Sequence, residues 1–367
     1  MIAVASRVDV PLVRLTASSY TIPTEAPESD GTFEWDSTTL VLVEAEGGGV
    51  SGVGWTYAPA AAARLVEDLL VPVVSGANAL ATGAAHVHMQ GALRNAGYPG
   101  LGAMAVSAVD IALWDLKAKL LELPLFALLG AVHDEVPVYG SGGFCSYSDE
   151  RLAEQLSGWV AEGIPRVKMK VGREPERDLE RVRVAREAIG DGAELYVDAN
   201  GAFGAQYALR FAHEVAELDV TWFEEPVSSR NVDGLRLVRQ RAPFGMDVAA
   251  GEYASTLADF RGLLGAVDCL QADVTRCGGM TGFLQAGSLG EAFELDLSSH
   301  TAPTISMYAL SAVSKARHLE WFHDHVRIER MLFDGFLEPH DGYLRPDGSR
   351  PGLGVELKRA DAERFAV

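Results

Sequence analysis

Cysteine is scarce in this sequence. The chain carries three, Cys145, Cys269 and Cys277. They are odd in number, widely spaced and without a Cys-x-x-Cys pair, which excludes a disulfide framework and a thiolate zinc site. All three read as buried thiols. No apolar run approaches the roughly 20 residues that cross a bilayer, and no basic start leads into an apolar stretch and a small-residue cleavage site. A cytoplasmic protein with no membrane partner is expected. Positive charge is also in deficit: the formal net charge of −20 repels nucleic-acid phosphates and anionic lipid, so no nucleic-acid partner is expected. The same charge repels a small carboxylate, so a pocket for one must supply its own cations. Lysine is sparse, with six in all, and two of those six stand together in Lys168-Met169-Lys170, which makes that pair informative.

What is present falls into two patterns. Residues 1 to about 60 read as strands and loops: Thr39 to Glu44 is a β-branched run, and Gly47-Gly48-Gly49 before Val50 marks a hairpin turn. Between strands, Thr21 to Trp35 holds Pro23, Pro27, Gly31 and several acids, the composition of a long mobile loop and a candidate lid. Residues from about 59 to 128 are helical in character, and the segment Ala105 to Leu116 carries apolar residues around much of its perimeter, as a helix packed between layers does. Within it Trp114 reads as core and Asp115 as a helix-surface acid.

After Pro137 a unit of short strand, polar loop and amphipathic helix repeats, with strands ending near Tyr139, Lys170, Asp198, Glu224, Ala250, Asp273, Ser299 and Glu320. Right-handed β/α units in series close into a (β/α)-type barrel, a modified TIM barrel, whose chemistry sits at the C-terminal strand ends. The expected organisation is an α+β capping domain over 1–128, completed by the Gly- and Pro-rich 338–367, and a catalytic barrel over 129–337.

Polar residues fall at those strand ends. Asp198, Glu224 and Glu252 each follow an apolar strand, and three carboxylates converging on one point require a cation. An all-oxygen set selects a hard ion, magnesium above manganese or calcium. Asn200 and Glu225 lie beside these ligands, turned off the metal direction or behind it. Lys168 and Lys170 alternate with Met169, so both face one side of a strand, the barrel interior. One ammonium beside another, and beside a divalent ion, favours the neutral amine of a general base. Asp273 and His300 end adjacent strands, where a carboxylate on one ring nitrogen leaves the other to exchange protons. Glu320 closes the circle and, if protonated, could donate to a developing oxyanion. His318, His323 and His325 flank it without metal-ligand spacing and read as surface residues.

In order along the chain, Lys168-Met169-Lys170, Val197-Asp198-Ala199-Asn200, Phe223-Glu224-Glu225-Pro226, Gly251-Glu252, Asp273, Ser299-His300 and Glu320 resemble the mandelate racemase subgroup of the enolase superfamily. The resemblance extends from the helix around Asp110 to Glu320. It implies one Mg2+ held by Asp198, Glu224 and Glu252, with Lys170 as one base and the Asp273-His300 dyad facing it. Lys168 would polarise, Glu320 would hydrogen-bond the substrate carboxylate, and Ser141 would contact substrate. Removal of the α-proton would give an ene-diolate. The segment Thr21 to Trp35 and the turn near Trp55 and Tyr57 would choose the distal end of the substrate, with Trp35 and Tyr57 as contacts, although such aromatics can equally be packing residues. Muconate-lactonising relatives carry a second lysine late in the barrel, whereas here no lysine lies between Lys170 and Lys315. The basic residue three positions after Asp273 is Arg276, where lysine is common.

Two bases permit racemisation or epimerisation of a 2-hydroxy acid. Alternatively, one base and His300 as acid permit dehydration of a sugar acid to a 2-keto-3-deoxy acid, the favoured expectation by analogy. A reading of another class is a metal- and carboxylate-binding barrel without turnover. The expected assembly is a homo-oligomer, dimer to octamer.

Overall fold

The computed structural model describes residues 9–367. Three antiparallel strands open the chain: β1 (Leu12–Ser29), β2 (Glu34–Gly47) and β3 (Val50–Tyr57). The turn between β2 and β3 is made by Gly48 and Gly49, both with positive φ, as the glycine run implied. The helix Leu101–Leu120 lies directly on this sheet because Gly52 and Gly54 have no side chains: a Cβ on either would stand 2.4 Å from helix backbone atoms. Val43, Ala45, Val106, Val109, Leu113 and Leu116 fill the space between them.

The second half is a closed ring of eight parallel strands: β4 (Val136–Gly142), β5 (Arg166–Lys170), β6 (Glu194–Asp198), β7 (Val220–Glu224), β8 (Asp247–Ala250), β9 (Cys269–Ala272), β10 (Asp296–Ser299) and β11 (Ala316–Phe322). Each is followed by a helix, and β11 pairs with β4 to close the barrel. The alternation of side chains builds the interior in layers. Tyr139, Tyr196 and Trp222 pack into a buried floor with Cys269, and His318 lies against all three rings. Two residues further along the same strands come Ser141, Asp198, Glu224 and Glu320, so the polar layer rests on a dry aromatic one.

The expected loop from Thr21 to Trp35 is instead strand, and this corrects the sequence reading. β1 runs to Ser29 and pairs Glu28 with Trp35 and Ser29 with Glu34, with an irregularity after Pro23 that absorbs the prolines. At the hairpin tip the Asp30 carboxylate accepts from the Thr32 and Phe33 amides at 2.6 and 2.7 Å. Gly31 seats the tip on the barrel: a Cβ there would meet the carbonyls of Ala199 at 2.5 Å and Val171 at 2.6 Å. The C-terminal segment stitches the two parts together, with Tyr343–Leu344 antiparallel to the start of β4, Gly352 bridged to Pro124 and Ala366 bridged to Tyr20.

Other expectations are corrected here too. Asp115 is fully buried rather than on the surface, paired with Lys119 at 2.7 Å and accepting from the Val53 and Leu353 amides at 2.8 and 2.6 Å. Trp114 is the half-buried neighbour, its indole N–H donating to Thr281. His318 and His325 are buried, and His323 is half-buried. Cys269 and Cys277 are buried, whereas Cys145 is partly exposed, and all three are free. Among the described residues no helix is long and apolar enough to cross a membrane.

Candidate active site

The strand ends bring the expected residues to one place. Oxygens of Asp198, Glu224 and Glu252 lie within 4.8 Å of one another, and all three residues are buried. Asp198 and Glu224 are the last residues of neighbouring strands β6 and β7, directly paired in register. Glu252 lies just beyond β8. Asn200 and Glu225 turn away through left-handed backbone, φ 45° and 40°, a conformation costly for non-glycine residues and found where surrounding structure enforces it. The Asn200 amide donates to Asp198 at 2.8 Å. Glu225 is buried, and desolvation followed by the charge of Glu252 pushes its carboxyl well above the ordinary range.

Both lysines point inward from β5. Lys168 is completely buried, with Nζ 2.7 and 2.6 Å from the two Glu224 oxygens, 2.9 Å from Glu320 and 3.6 Å from Asp198. Burial works against its charge, but Glu224, Glu320 and Asp198 overcome it and hold the ammonium well above the usual lysine range. Lys170 Nζ lies 2.5 Å from Asp198 Oδ2. Burial again lowers its proton affinity, and the Asp198 charge more than reverses this, so Lys170 is held up as an ammonium. Among the protein groups by themselves, Asp198 rather than Lys168 dominates Lys170. A cation bound by the trio competes for that Asp198 oxygen and for its field.

On the other flank, His300 Nδ1 is 2.7 Å from Asp273 Oδ2, and its Nε2 is 3.3 Å from Glu252 and 3.7 Å from Glu320. Asp273 also accepts from the Thr275 amide and hydroxyl, both at 2.7 Å. Burial raises the Asp273 carboxyl, but the His300 hydrogen bond and the Arg276 charge bring it below the ordinary carboxylate range. It thus fixes the ring with the proton on Nδ1 and leaves Nε2 toward the acids. Lys170 beside Asp198 and His300 beside Glu252 flank the trio from its two sides.

Glu320 departs from the expectation of a protonated donor. Burial raises it, yet Lys168, His300 and Lys170 hold it below the carboxylate range, so it is an acceptor. It takes hydrogen bonds from Ser141 Oγ at 2.6 Å and from the Thr301 amide at 3.0 Å. Ser141 is fully buried, and its hydroxyl is spent on Glu320.

Above these groups opens a cavity of about 550 Å³, walled by Lys170, Asn200, Glu252, Arg276 and His300 from the barrel and by Trp35 and Tyr57 from the first domain. Trp35 Nε1 donates to Glu28 at 3.1 Å and to Asp324 at 3.2 Å. Tyr57 stacks on His325 with ring centroids 3.3 Å apart, and its hydroxyl donates to Glu329 at 3.1 Å. Trp55, by contrast, is buried packing, stacked on Phe333. Asp324 and Glu329 were missed from sequence, since Trp35 and Tyr57 lie 289 and 272 positions from them; Glu28, seven positions from Trp35, was missed too, and His325 was read as a surface residue. A polar His-Asp-His run at the end of the last strand was their one signal.

The trio fits a divalent ion on two observations. Glu252 Oε2 is buried without a hydrogen-bond partner, as an oxygen reserved for a metal is. Burial and then the Asp198 charge push the Glu224 carboxyl well above the ordinary range although Lys168 lies beside it, the mark of acids crowded where a cation belongs. The donors are all oxygen, which suits magnesium.

The chain is similar to known proteins along most of its length. Two family models match: the mandelate racemase / muconate lactonizing enzyme N-terminal domain over residues 21–130, and the enolase C-terminal domain-like model over residues 151–362. The chain is 32% identical to the 3,6-anhydro-alpha-L-galactonate cycloisomerase of Streptomyces coelicolor, covering 96% of this chain and 99% of that one. A crystal structure of a mandelate racemase/muconate lactonizing enzyme-like protein from Rubrobacter xylanophilus superposes with a TM-score of 0.96 at 57% identity, over 97% of this chain and all of that one (100%). The L-talarate/galactarate dehydratase of Salmonella typhimurium, crystallised with Mg and L-lyxarohydroxamate, superposes with a TM-score of 0.91 at 26% identity, over 100% of this chain and 96% of that one.

Proposed function

This chain belongs to the mandelate racemase / muconate lactonizing enzyme family of the enolase superfamily, and on that premise we propose that it dehydrates a sugar acid to a 2-keto-3-deoxy acid. The observation that carries the reading is the pair of proton-transfer groups on the two flanks of one carboxylate trio, Lys170 at Asp198 and His300 at Glu252. Asp198, Glu224 and Glu252 would hold magnesium, which when bound draws off the charge that moves onto the substrate carboxylate. Lys170 then accepts the α-proton, once its ammonium has given up its own. His300, its Nδ1–H held by Asp273, must first take up a proton on Nε2; as the imidazolium it delivers that proton to the β-hydroxyl, which leaves as water. Lys168 holds Glu224 and Glu320 in place and offsets their charge, while Ser141 and the Thr301 amide orient Glu320 toward the substrate oxygens.

The relatives support an elimination: one is named a dehydratase and one a cycloisomerase, both of sugar acids. Racemisation uses the same two flanks and differs in where the proton returns. Incubating a library of sugar acids and 2-hydroxy acids with enzyme and magnesium in deuterium oxide separates these outcomes. Loss of water with a 2-keto product is expected. Deuterium incorporation with inversion would replace dehydration by racemisation, and no exchange with any acid would leave a binding protein.

A further inference from the structure

The cavity has two unlike ends. At the barrel end stand Lys170, His300 and Arg276, and the Arg276 guanidinium is already committed to Asp273 at 3.3 Å and Glu252 at 3.7 Å. The wall contributed by the first domain and the segment after the last barrel strand is made of hydroxyls and rings: Ser37, Thr38, Thr39, Trp35, Tyr57 and Phe322. The charged side chains of that wall are both acids, Asp30 and Asp324. Asp324 is 1% exposed and held in place: its Oδ2 accepts from Trp35 Nε1 at 3.2 Å and Thr38 Oγ1 at 3.1 Å, while Oδ1 is buried without a hydrogen bond, with Arg327 at 3.7 Å. Its neighbour Glu28, fully buried, is pushed up to about 9 by desolvation and then by the Asp324 charge. His325 adds no positive charge, because burial holds it well below the histidine range and its Nδ1 accepts from the Ala302 amide at 3.2 Å.

From this juxtaposition we infer that the substrate is a monocarboxylate polyol, an aldonic acid or its internal ether, whose uncharged tail lies along Trp35, Thr38 and Asp324, and that Asp324 excludes sugar di-acids. The inference rests on the proposed function in one respect, the placing of the reacting carboxylate at the Asp198-Glu224-Glu252 end. A second carboxylate at the far end would meet no free cation and would face Asp324. At a separation of about 6 Å in a medium of effective dielectric about 20, an unpaired Asp324 would cost roughly 100-fold in affinity, and Arg327 at 3.7 Å reduces that. A terminal hydroxyl instead finds carboxylate and threonine acceptors, and the sugar's C–H faces find the aromatic wall.

The test is binding rather than turnover. Calorimetric titration of the full chain with magnesium present would compare six-carbon aldonates, in all configurations, with the aldarates of the same configuration. The best aldonate is expected to bind at least about 30-fold more tightly than its aldarate. Asp324→Asn should close that gap to within about 3-fold, and Ser37→Lys, on a partly exposed strand position, should shift it toward the di-acid even if the first variant folds poorly. An aldarate that binds wild type as tightly as its aldonate, no binding by either class, or a ratio unmoved by both variants would overturn the assignment. Aldonate preference in binding without any α-proton exchange would sink the proposed reaction while leaving this inference standing.

Discussion

Replacing Lys168 by methionine tests whether the polar layer is held together by charge. The ammonium lies 2.6 and 2.7 Å from Glu224, 2.9 Å from Glu320 and 3.6 Å from Asp198, with no exposure to solvent. Methionine has similar length and no charge, so packing is nearly conserved while three buried carboxylates lose their common partner. Removing one member of a buried ion pair costs about 3–5 kcal/mol. For a chain of this length that corresponds to a fall in melting temperature of about 4–7 °C. Magnesium should then rescue the variant more than the wild type, because a site with one cation fewer attracts a divalent ion more strongly. At a hundred times its dissociation constant a ligand stabilises by about 2.7 kcal/mol. Scanning calorimetry of both proteins, in chelator and in saturating magnesium, should show a wide gap that narrows on adding metal. A variant that melts with the wild type in chelator would refute the electrostatic account of the site, whatever its activity.

Three further outcomes follow from the same geometry. Lys170→Ala and His300→Asn should each lower kcat/KM by about 100- to 10,000-fold with unchanged circular dichroism, and retention of wild-type turnover by both would remove them as the proton-transfer pair. Glu28→Gln should act on stability in a pH-dependent way: the wild-type carboxyl is raised in the fold from 4.5 to about 9, so it loses stability as pH rises from about 4.5 toward 9. The amide, neutral throughout, should therefore exceed wild type by about 1–3 kcal/mol at pH 8 and match it near pH 4.5, and equal melting curves at both pH values would argue against a raised carboxyl. Asp115→Ala strands the buried Val53 and Leu353 amides and the Lys119 ammonium, so it should cost about 3–5 kcal/mol and speed amide exchange at Leu353.

What the sequence discloses and what it hides divide along one physical line. A barrel strand turns alternate residues inward, so Lys168 and Lys170, or Asp198 after an apolar run, declare their direction within five residues. Candidates spaced 20 to 28 residues apart then fall at successive strand ends without any knowledge of the rest of the chain. The family resemblance rests on these same local patterns. The distal wall has no such local code. Trp35 meets Asp324 across 289 positions and Tyr57 meets Glu329 across 272, so neither acid could be known as buried until the first domain was seated on the barrel. Asp115 was misread for the same reason: on its own helix it resembles a surface acid paired with Lys119, and the Val53 and Leu353 amides, 62 and 238 positions away, show that it is interior. The hairpin from Thr21 to Trp35 looks like a loop because its prolines and acids are those of a loop. Its strand character comes from pairing with β2 and from Gly31 fitting against the Ala199 and Val171 carbonyls. The proposed proton-transfer chemistry thus sits on residues legible one strand at a time, while the proposed choice of substrate sits where two domains meet. The proposed dehydration and the proposed preference for mono-acids accordingly need separate experiments.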